Sequence, residues 1–270
     1  RARDIREASR GRDRGVRAVL DRILADKRVR LARGEYATTA PSATAGDGAR
    51  FVASLREPGV RIVAEIKARS PSAGEIVTGA DGRVETLALA YRRGHAAAIS
   101  VVAEQDHFGG KPEWVTRAKR ISGLPVLMKD FLLSEAQLDF AVSLGADAVL
   151  LVVRALSDDD LADLRRAAAA RGLAVVVEAH GADEIPRAAA VEPDVLGVNA
   201  RDLATFETDL AALAPLAAEI PPGPVRLAES GFSSRDDVSR LAAAGWEAFL
   251  IGEILLRSED PEQKLRELAR

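Results

Sequence analysis

PVLMKDFLLSEAQLDFAVSLGADAVLLVV, residues 125–153, is the stretch from which the fold is read. It opens with a short apolar run, Pro125 to Phe131, of strand length. An amphipathic segment over 134–145 reads as a helix. Gly145 ends that helix in a left-handed turn, and a second apolar run, Ala148 to Val153, follows. A strand, a helix and a strand in so short a space make a parallel pair with a crossover helix.

The same unit recurs in both directions. Strands are expected at Arg61–Lys67, Ala98–Glu104, Pro125–Phe131, Ala148–Val153, Ala174–Glu178, Val195–Asn199, Arg226–Ser230 and Ala248–Gly252. Helices are expected near 85–94, 111–121, 134–145, 157–172, 182–191, 209–219, 234–245 and 260–269. About eight β-α units in about 210 residues predict a closed (β/α)8 TIM barrel of the α/β class. A faint repeat agrees with this: Gly94, Gly145 and Gly245 each stand between a helix and a strand, where a left-handed Gly closes the helix. The open doubly wound sheet is the alternative, but its Gly-x-Gly-x-x-Gly turn is missing after the first strand.

Residues 1–50 differ from the rest. Arg1 to Arg33 are rich in Arg and Ala, and Val16, Val19, Leu20, Ile23 and Leu24 have the spacing of an amphipathic helix. Thr38 to Gly48 reads as a linker. The expected organisation is an N-terminal helical extension over 1–50 and a catalytic barrel over 51–270.

Composition narrows the function. A net charge of −3 with no basic bias argues against nucleic acid as the main partner. No apolar run approaches the ~20 residues of a membrane span, and no signal-peptide pattern opens the sequence at Arg1. Cysteine is absent, so thiol and disulfide chemistry are excluded and a cytoplasmic setting fits. His95, His107 and His180 are far apart and lack metal-ligand spacing, so no metal and no cofactor are expected. A monomer or weak homo-oligomer acting on a small molecule is the expected form.

The active site of such a barrel lies at the C-terminal ends of its strands. Those ends carry Glu65 and Lys67, Glu104, Lys129 and Phe131, Glu178, Asn199 with Arg201, Glu229 with Ser230, and Gly252 with Glu253. Glu65 and Lys67 are two apart and point to one side of a strand. A lone strand-end charge is usually just solvated. As a set, lysines beside carboxylates in a partly dry pocket can move protons near neutrality. Ser230-Gly231 and Gly252-Glu253 make turns at the last two strands, where barrels commonly seat phosphate on backbone N–H groups. Phe108 and Phe131 lie near the mouth and suit an aromatic substrate. Asp130 alternates with Lys129 and should be structural, His107 reads as a loop residue, and Ser157-Asp158-Asp159-Asp160 reads as a helix N-cap.

These segments resemble the indole-3-glycerol phosphate synthase family from about residue 60 to 262. The matches are Glu65-Ile66-Lys67 with Ser70-Pro71-Ser72, Ser100-Val101-Val102 with Phe108-Gly109-Gly110, and Lys129-Asp130-Phe131. They continue with Gly145-Ala146-Asp147-Ala148, Val177-Glu178, Asn199 with Arg201-Asp202-Leu203, Glu229-Ser230-Gly231 and Leu250-Ile251-Gly252-Glu253. The resemblance implies a carboxy-lyase of tryptophan biosynthesis whose substrate is 1-(2-carboxyphenylamino)-1-deoxyribulose 5-phosphate. Ring closure, decarboxylation and dehydration of that substrate give indole-3-glycerol phosphate. The implied catalytic residues are Lys129, Glu178, Lys67 and Glu65, with Lys129 at the sugar carbonyl and the dehydration roles open among the other three. Asn199, Arg201, Phe108, Phe131 and Ser70 would bind substrate, and Ser230, Gly231, Gly252 and Glu253 would hold its phosphate. The pattern departs from the family at Ala73, Met128 and Ile254, where Lys, Arg and Ser are usual. A phosphoribosyl isomerase and a catalytically silent phosphate-binding barrel are the competing readings.

Overall fold

The computed structural model describes residues 19–38, 46–70, 74–202 and 208–270, with the side chain of Ser70 excepted. Helix α1 occupies described residues 19–32, which include Val19, Leu20, Ile23 and Leu24 of the expected amphipathic helix; Val16 lies outside the described residues. Helix α2 (Gly48–Arg56) leads into β1 (Arg61–Ile66), and a small antiparallel pair, β2 (Arg69–Ser70) and β3 (Gly74–Glu75), follows. The chain then alternates: α3 (Val84–Arg93), β4 (Ala98–Val102), α4 (Glu113–Ser122), β5 (Val126–Lys129), α5 (Glu135–Ser143), β6 (Ala148–Val152), α6 (Asp158–Ala170) and β7 (Ala174–Ala179). It continues through α7 (Ile185–Ala190), β8 (Val195–Asn199), α8 (Leu213–Leu216), β9 (Val225–Glu229), α9 (Arg235–Ala243), β10 (Ala248–Ile251), α10 (Glu253–Leu256) and α11 (Pro261–Ala269).

Eight parallel strands close on themselves in the order β1-β10-β9-β8-β7-β6-β5-β4, with β4 returning to β1. This is the (β/α)8 barrel that the repeating units predict. Alternation along each strand splits the apolar residues into two layers. Ile62 and Ala64 join helix residues such as Leu87 and Trp114 in the outer layer. Val63, Leu127, Leu150, Val176, Leu227 and Leu250 form the inner layer. Continuing that alternation to the strand ends turns Glu65, Lys129, Glu178, Asn199 and Glu229 toward the barrel mouth.

The opposite end is plugged by α2. Its Phe51 and Leu55 are fully buried in the inner layer. Arg50 donates to Gly123 O and Arg56 to Gly223 O, on the loops that enter β5 and β9, each at 2.6 Å. Gly48, expected in the linker, is the first residue of this helix. Residues 39–45 of the expected linker lie outside the described residues.

One expected turn is corrected. Gly145 and Gly245 have positive φ at 84° and 100°, but Gly94 does not, at −76°. His95 takes the left-handed conformation there instead, with φ 64°. Gly94 is small for a packing reason: a Cβ would sit 3.0 Å from Glu262 O and from Leu265 Cβ of the last helix. Ser157 caps α6 by accepting from the Asp160 N–H, as expected.

Candidate active site

Lys129, at the end of β5, is the centre of the mouth. Its Nζ lies 2.5 Å from Glu229 Oε2, 3.3 Å from Glu178 Oε2 and 3.9 Å from Glu65 Oε2. Lys67, just past β1, donates to Glu65 Oε1 at 2.6 Å. Both lysine side chains keep some exposure, 17% and 18%, while the carboxylates beside them are buried. The two expected lysines and Glu65 and Glu178 therefore meet in one place. Strand register sets the level, since Asn199 pairs with Glu229 and Val152 with Glu178.

Close packing of this cluster depends on small neighbours. A Cβ at Gly197 would run into Glu229 Oε1, and one at Gly252 would stand 2.8 Å from Glu65 Oε1. The carboxylates occupy the volume that ordinary side chains on β8 and after β10 would fill.

Charge follows from this packing. Burial disfavours charge on Lys129, but Glu229, Glu178 and Glu65 outweigh it and raise its pKa, so the ammonium stays protonated. Burial also opposes ionisation of Glu65, yet Lys67 and Lys129 hold its carboxyl below the usual range. Glu178 and Glu229 share Lys129 and titrate together. Burial pushes Glu229 up to about 8, while Lys129 and His180 overcome burial and pull Glu178 below the usual carboxylate range.

Around this centre stand the expected binding residues. The Phe108 and Phe131 rings are 6.4 Å apart between centroids, tilted by 38°. Glu104, buried, holds the loop of Phe108 by accepting the N–H groups of Asp106, His107 and Phe108 at 3.2, 2.8 and 2.9 Å. Asn199 Oδ1 accepts the Arg201 N–H at 3.0 Å and shapes the turn after β8. Arg201 reaches to 3.9 Å from Glu253 Oε2.

A cleft of about 510 Å³ opens beside the cluster, lined by Glu65, Lys67, Arg201, Ser230, Gly231, Gly252, Glu253, Arg257 and Lys264 among others. Ser230 and Gly231 both have positive φ, 70° and 84°, which bends the backbone back at the end of β9. The four expected phosphate residues thus share one cleft. Ser70 forms the end of β2, but its side chain and the whole of 71–73 lie outside the described residues, so the expected contribution of that loop stands outside this geometry. No group of His, Cys, Asp and Glu among the described residues could hold a metal ion.

Two roles went unread in the sequence. Glu229 was among the strand-end charges but received no place in the site, although it sits two residues beyond Leu227 and so shares its inward side. His180 was legible only as a lone histidine; its side chain is 1% exposed, with Nε2 3.2 Å from Glu178 Oε1. Asp130 is buried and turned away from the mouth onto Lys27 of α1, as alternation requires. His107 lies in a loop with Nε2 2.9 Å from Asp26 Oδ2.

The family model described as indole-3-glycerol phosphate synthase matches residues 20–268. The chain is 45% identical over 212 residues to an indole-3-glycerol phosphate synthase of Koribacter versatilis (strain Ellin345), covering 78% of this chain and 81% of the relative. It is 41% identical over 241 residues to indole-3-glycerol phosphate synthase 2 of Streptomyces coelicolor, covering 89% and 93%. Among solved structures, 3-hexulose-6-phosphate synthase superposes with a TM-score of 0.60 over 78% of this chain and 98% of that one, at 17% identity, a likeness of fold.

Proposed function

The chain belongs to the indole-3-glycerol phosphate synthase family, and from that membership we propose how its own residues close the indole ring. The reaction is that of a carboxy-lyase in tryptophan biosynthesis: 1-(2-carboxyphenylamino)-1-deoxyribulose 5-phosphate loses CO2 and water to give indole-3-glycerol phosphate. The observation that carries the assignment of roles is Lys129, a charged ammonium ringed by Glu65, Glu178 and Glu229 at an open mouth.

In this reading the phosphate enters the cleft of Ser230, Gly231, Gly252 and Glu253, with Lys67 and Arg201 on its wall. Ser70 takes part in binding the substrate. The anthranilate ring packs against Phe108 and Phe131, and Asn199 and Arg201 orient the carboxylate and hydroxyls. The ring carbon bearing the carboxylate attacks the sugar carbonyl carbon, and Lys129 gives a proton to the carbonyl oxygen as negative charge develops there. The C–C bond to the carboxylate then breaks, CO2 leaves, and its electron pair restores the aromatic ring. Dehydration follows: Lys67, held by Glu65, protonates the departing hydroxyl, and ionised Glu178 takes the amine proton. A proton of the methylene carbon between the nitrogen and the new ring carbon then moves to that nitrogen, which completes the indole, and the chemistry asks for no cofactor.

Every group in this scheme lies in the barrel proposed over 51–270, which follows an N-terminal helical extension and linker over 1–50. No described helix is long and apolar enough to cross a membrane. The substrate is a small phosphorylated molecule; the reaction in the cytoplasm by a monomer or weak homo-oligomer completes the proposal. The test is direct: purified chain incubated with the carboxyphenylamino deoxyribulose phosphate should generate indole fluorescence. No product at high enzyme concentration would support the silent-barrel reading instead.

A further inference from the structure

Behind the catalytic cluster lies a chain of buried charges that the scheme above leaves unused. His180 follows β7 two residues after Glu178. Its Nε2 is 3.2 Å from Glu178 Oε1 and its Nδ1 is 3.7 Å from Glu184 Oε2. Glu184 is anchored from two other directions. It accepts the His180 backbone N–H at 2.9 Å, and Arg154, from the turn after β6, donates to its other oxygen. The sequence of contacts runs Arg154, Glu184, His180, Glu178, Lys129, with Glu229 and Glu65 on the far side of the lysine.

We propose that His180 is a positioning residue whose imidazolium, clamped between Glu178 and Glu184, aims the Glu178 carboxylate at Lys129 and makes Glu178, rather than Glu229, the ionised member of the pair flanking that lysine. The inference rests on the catalytic reading of Lys129 and Glu178 given above.

The argument is one of charge balance. Lys129 lies within reach of both Glu178 and Glu229, and Glu65 already has Lys67. One ammonium does not balance two fully buried carboxylates, so the pair retains a proton. Glu178 Oε2 and Glu229 Oε1 are buried without hydrogen-bond partners among the described residues. A carboxyl proton held between these neighbouring groups supplies the missing donor.

What breaks the tie is the environment of each carboxyl. Glu229 is fully buried and has Lys129 as its cation. Glu178 has Lys129 on one side and the imidazole on the other. Nε2 of His180 faces Glu178 at 3.2 Å and Nδ1 faces Glu184 at 3.7 Å, so both carboxylates act on the ring. Burial opposes charge on the imidazole, but Glu178 and Glu184 outweigh burial and raise its pKa to about 9. His180 is therefore a cation at neutral pH, and its side chain, 1% exposed, has no direct access to substrate.

The test is the pH profile of kcat and of KM for the wild-type chain, His180→Gln and Glu184→Gln. Loss of the imidazolium lets Glu178 compete with Glu229 for the shared proton. For His180→Gln the expected result is a fall in kcat of about 10–100-fold, with KM little changed, and an acidic limb moved upward by about one pH unit or more. For Glu184→Gln the imidazole remains but loses a carboxylate partner, so the basic limb should move toward neutrality. A folded His180→Gln with wild-type kcat and wild-type limbs overturns the proposal. If His180→Gln does not fold, Glu184→Gln decides alone, and an unmoved basic limb overturns it. A wild-type chain that makes no product removes this inference together with the catalytic reading; unmoved profiles in an active background remove this inference only.

Discussion

A single lysine shared by three buried carboxylates explains why the residues of this mouth are not interchangeable. Glu65 is ionised because Lys67 and Lys129 face it; Glu229 resists ionisation because burial outweighs its one ammonium. The same charges make stability depend on pH. His180 has its folded pKa raised from 6.5 to about 9, so its contribution is complete below 6.5 and is lost as pH rises through about 9. Burial raises Glu229 above its usual 4.5, so stability falls as pH rises above that value, because the unfolded chain releases this proton while the folded one still holds it. Both groups act in the same direction. Thermal midpoints should therefore fall from about pH 6.5 to about 9, and His180→Gln should flatten the upper part of that fall. A wild-type midpoint that rises over this range would contradict the charge assignment. At this scale the sequence disclosed Glu65, Lys67, Lys129 and Glu178, because period-two alternation and strand ends suffice to group them. It did not disclose the pairing of Glu229 with Lys129, since those residues are 100 positions apart and only barrel closure joins them.

Helix α1 ties the extension to the walls of the site. Lys27, 1% exposed, places Nζ 2.7 and 2.9 Å from the two oxygens of Asp130, 3.1 Å from Tyr36 Oη and 3.8 Å from Glu104. Asp130 adjoins Lys129, and Glu104 holds the loop that carries Phe108. Arg30 adds a two-pronged contact to Asp106 at 2.7 and 2.8 Å. Replacing Lys27 with Met strands two buried carboxylates and should cost about 3–5 kcal/mol, read as a drop in denaturation free energy. Lys27→Met combined with Asp130→Asn should recover part of it; a Lys27→Met chain as stable as wild type would show that α1 is not held this way. Element by element, the eight strands and the long helices were legible from apolar periodicity. Helix α2 was not, because GARFVASLR is short and gains its structure by inserting Phe51 and Leu55 beneath the barrel. The β2–β3 pair and the four-residue α10 escaped for the same reason: neither is long enough to carry a period. Gly94 was misread because a helix-end glycine serves either a left-handed turn or a close contact, and here α11 requires the contact.

Over the whole molecule, barrel closure turns dispersed strand ends into one chemical surface. One end is sealed by α2 and the other bears the lysine–carboxylate cluster beside an anion-sized cleft with cationic walls. The fold alone does not specify the reaction, since 3-hexulose-6-phosphate synthase shares it at 17% identity. The reaction is carried by which side chains stand at the strand ends, and Lys129 is the proposed donor of the proton that starts ring closure. Turnover of the carboxyphenylamino deoxyribulose phosphate by Lys129→Ala beside the wild-type chain, with folding checked by circular dichroism, decides that role. A folded variant that still binds substrate but turns over at least about 100-fold more slowly is the predicted result; a folded variant with wild-type kcat would contradict it.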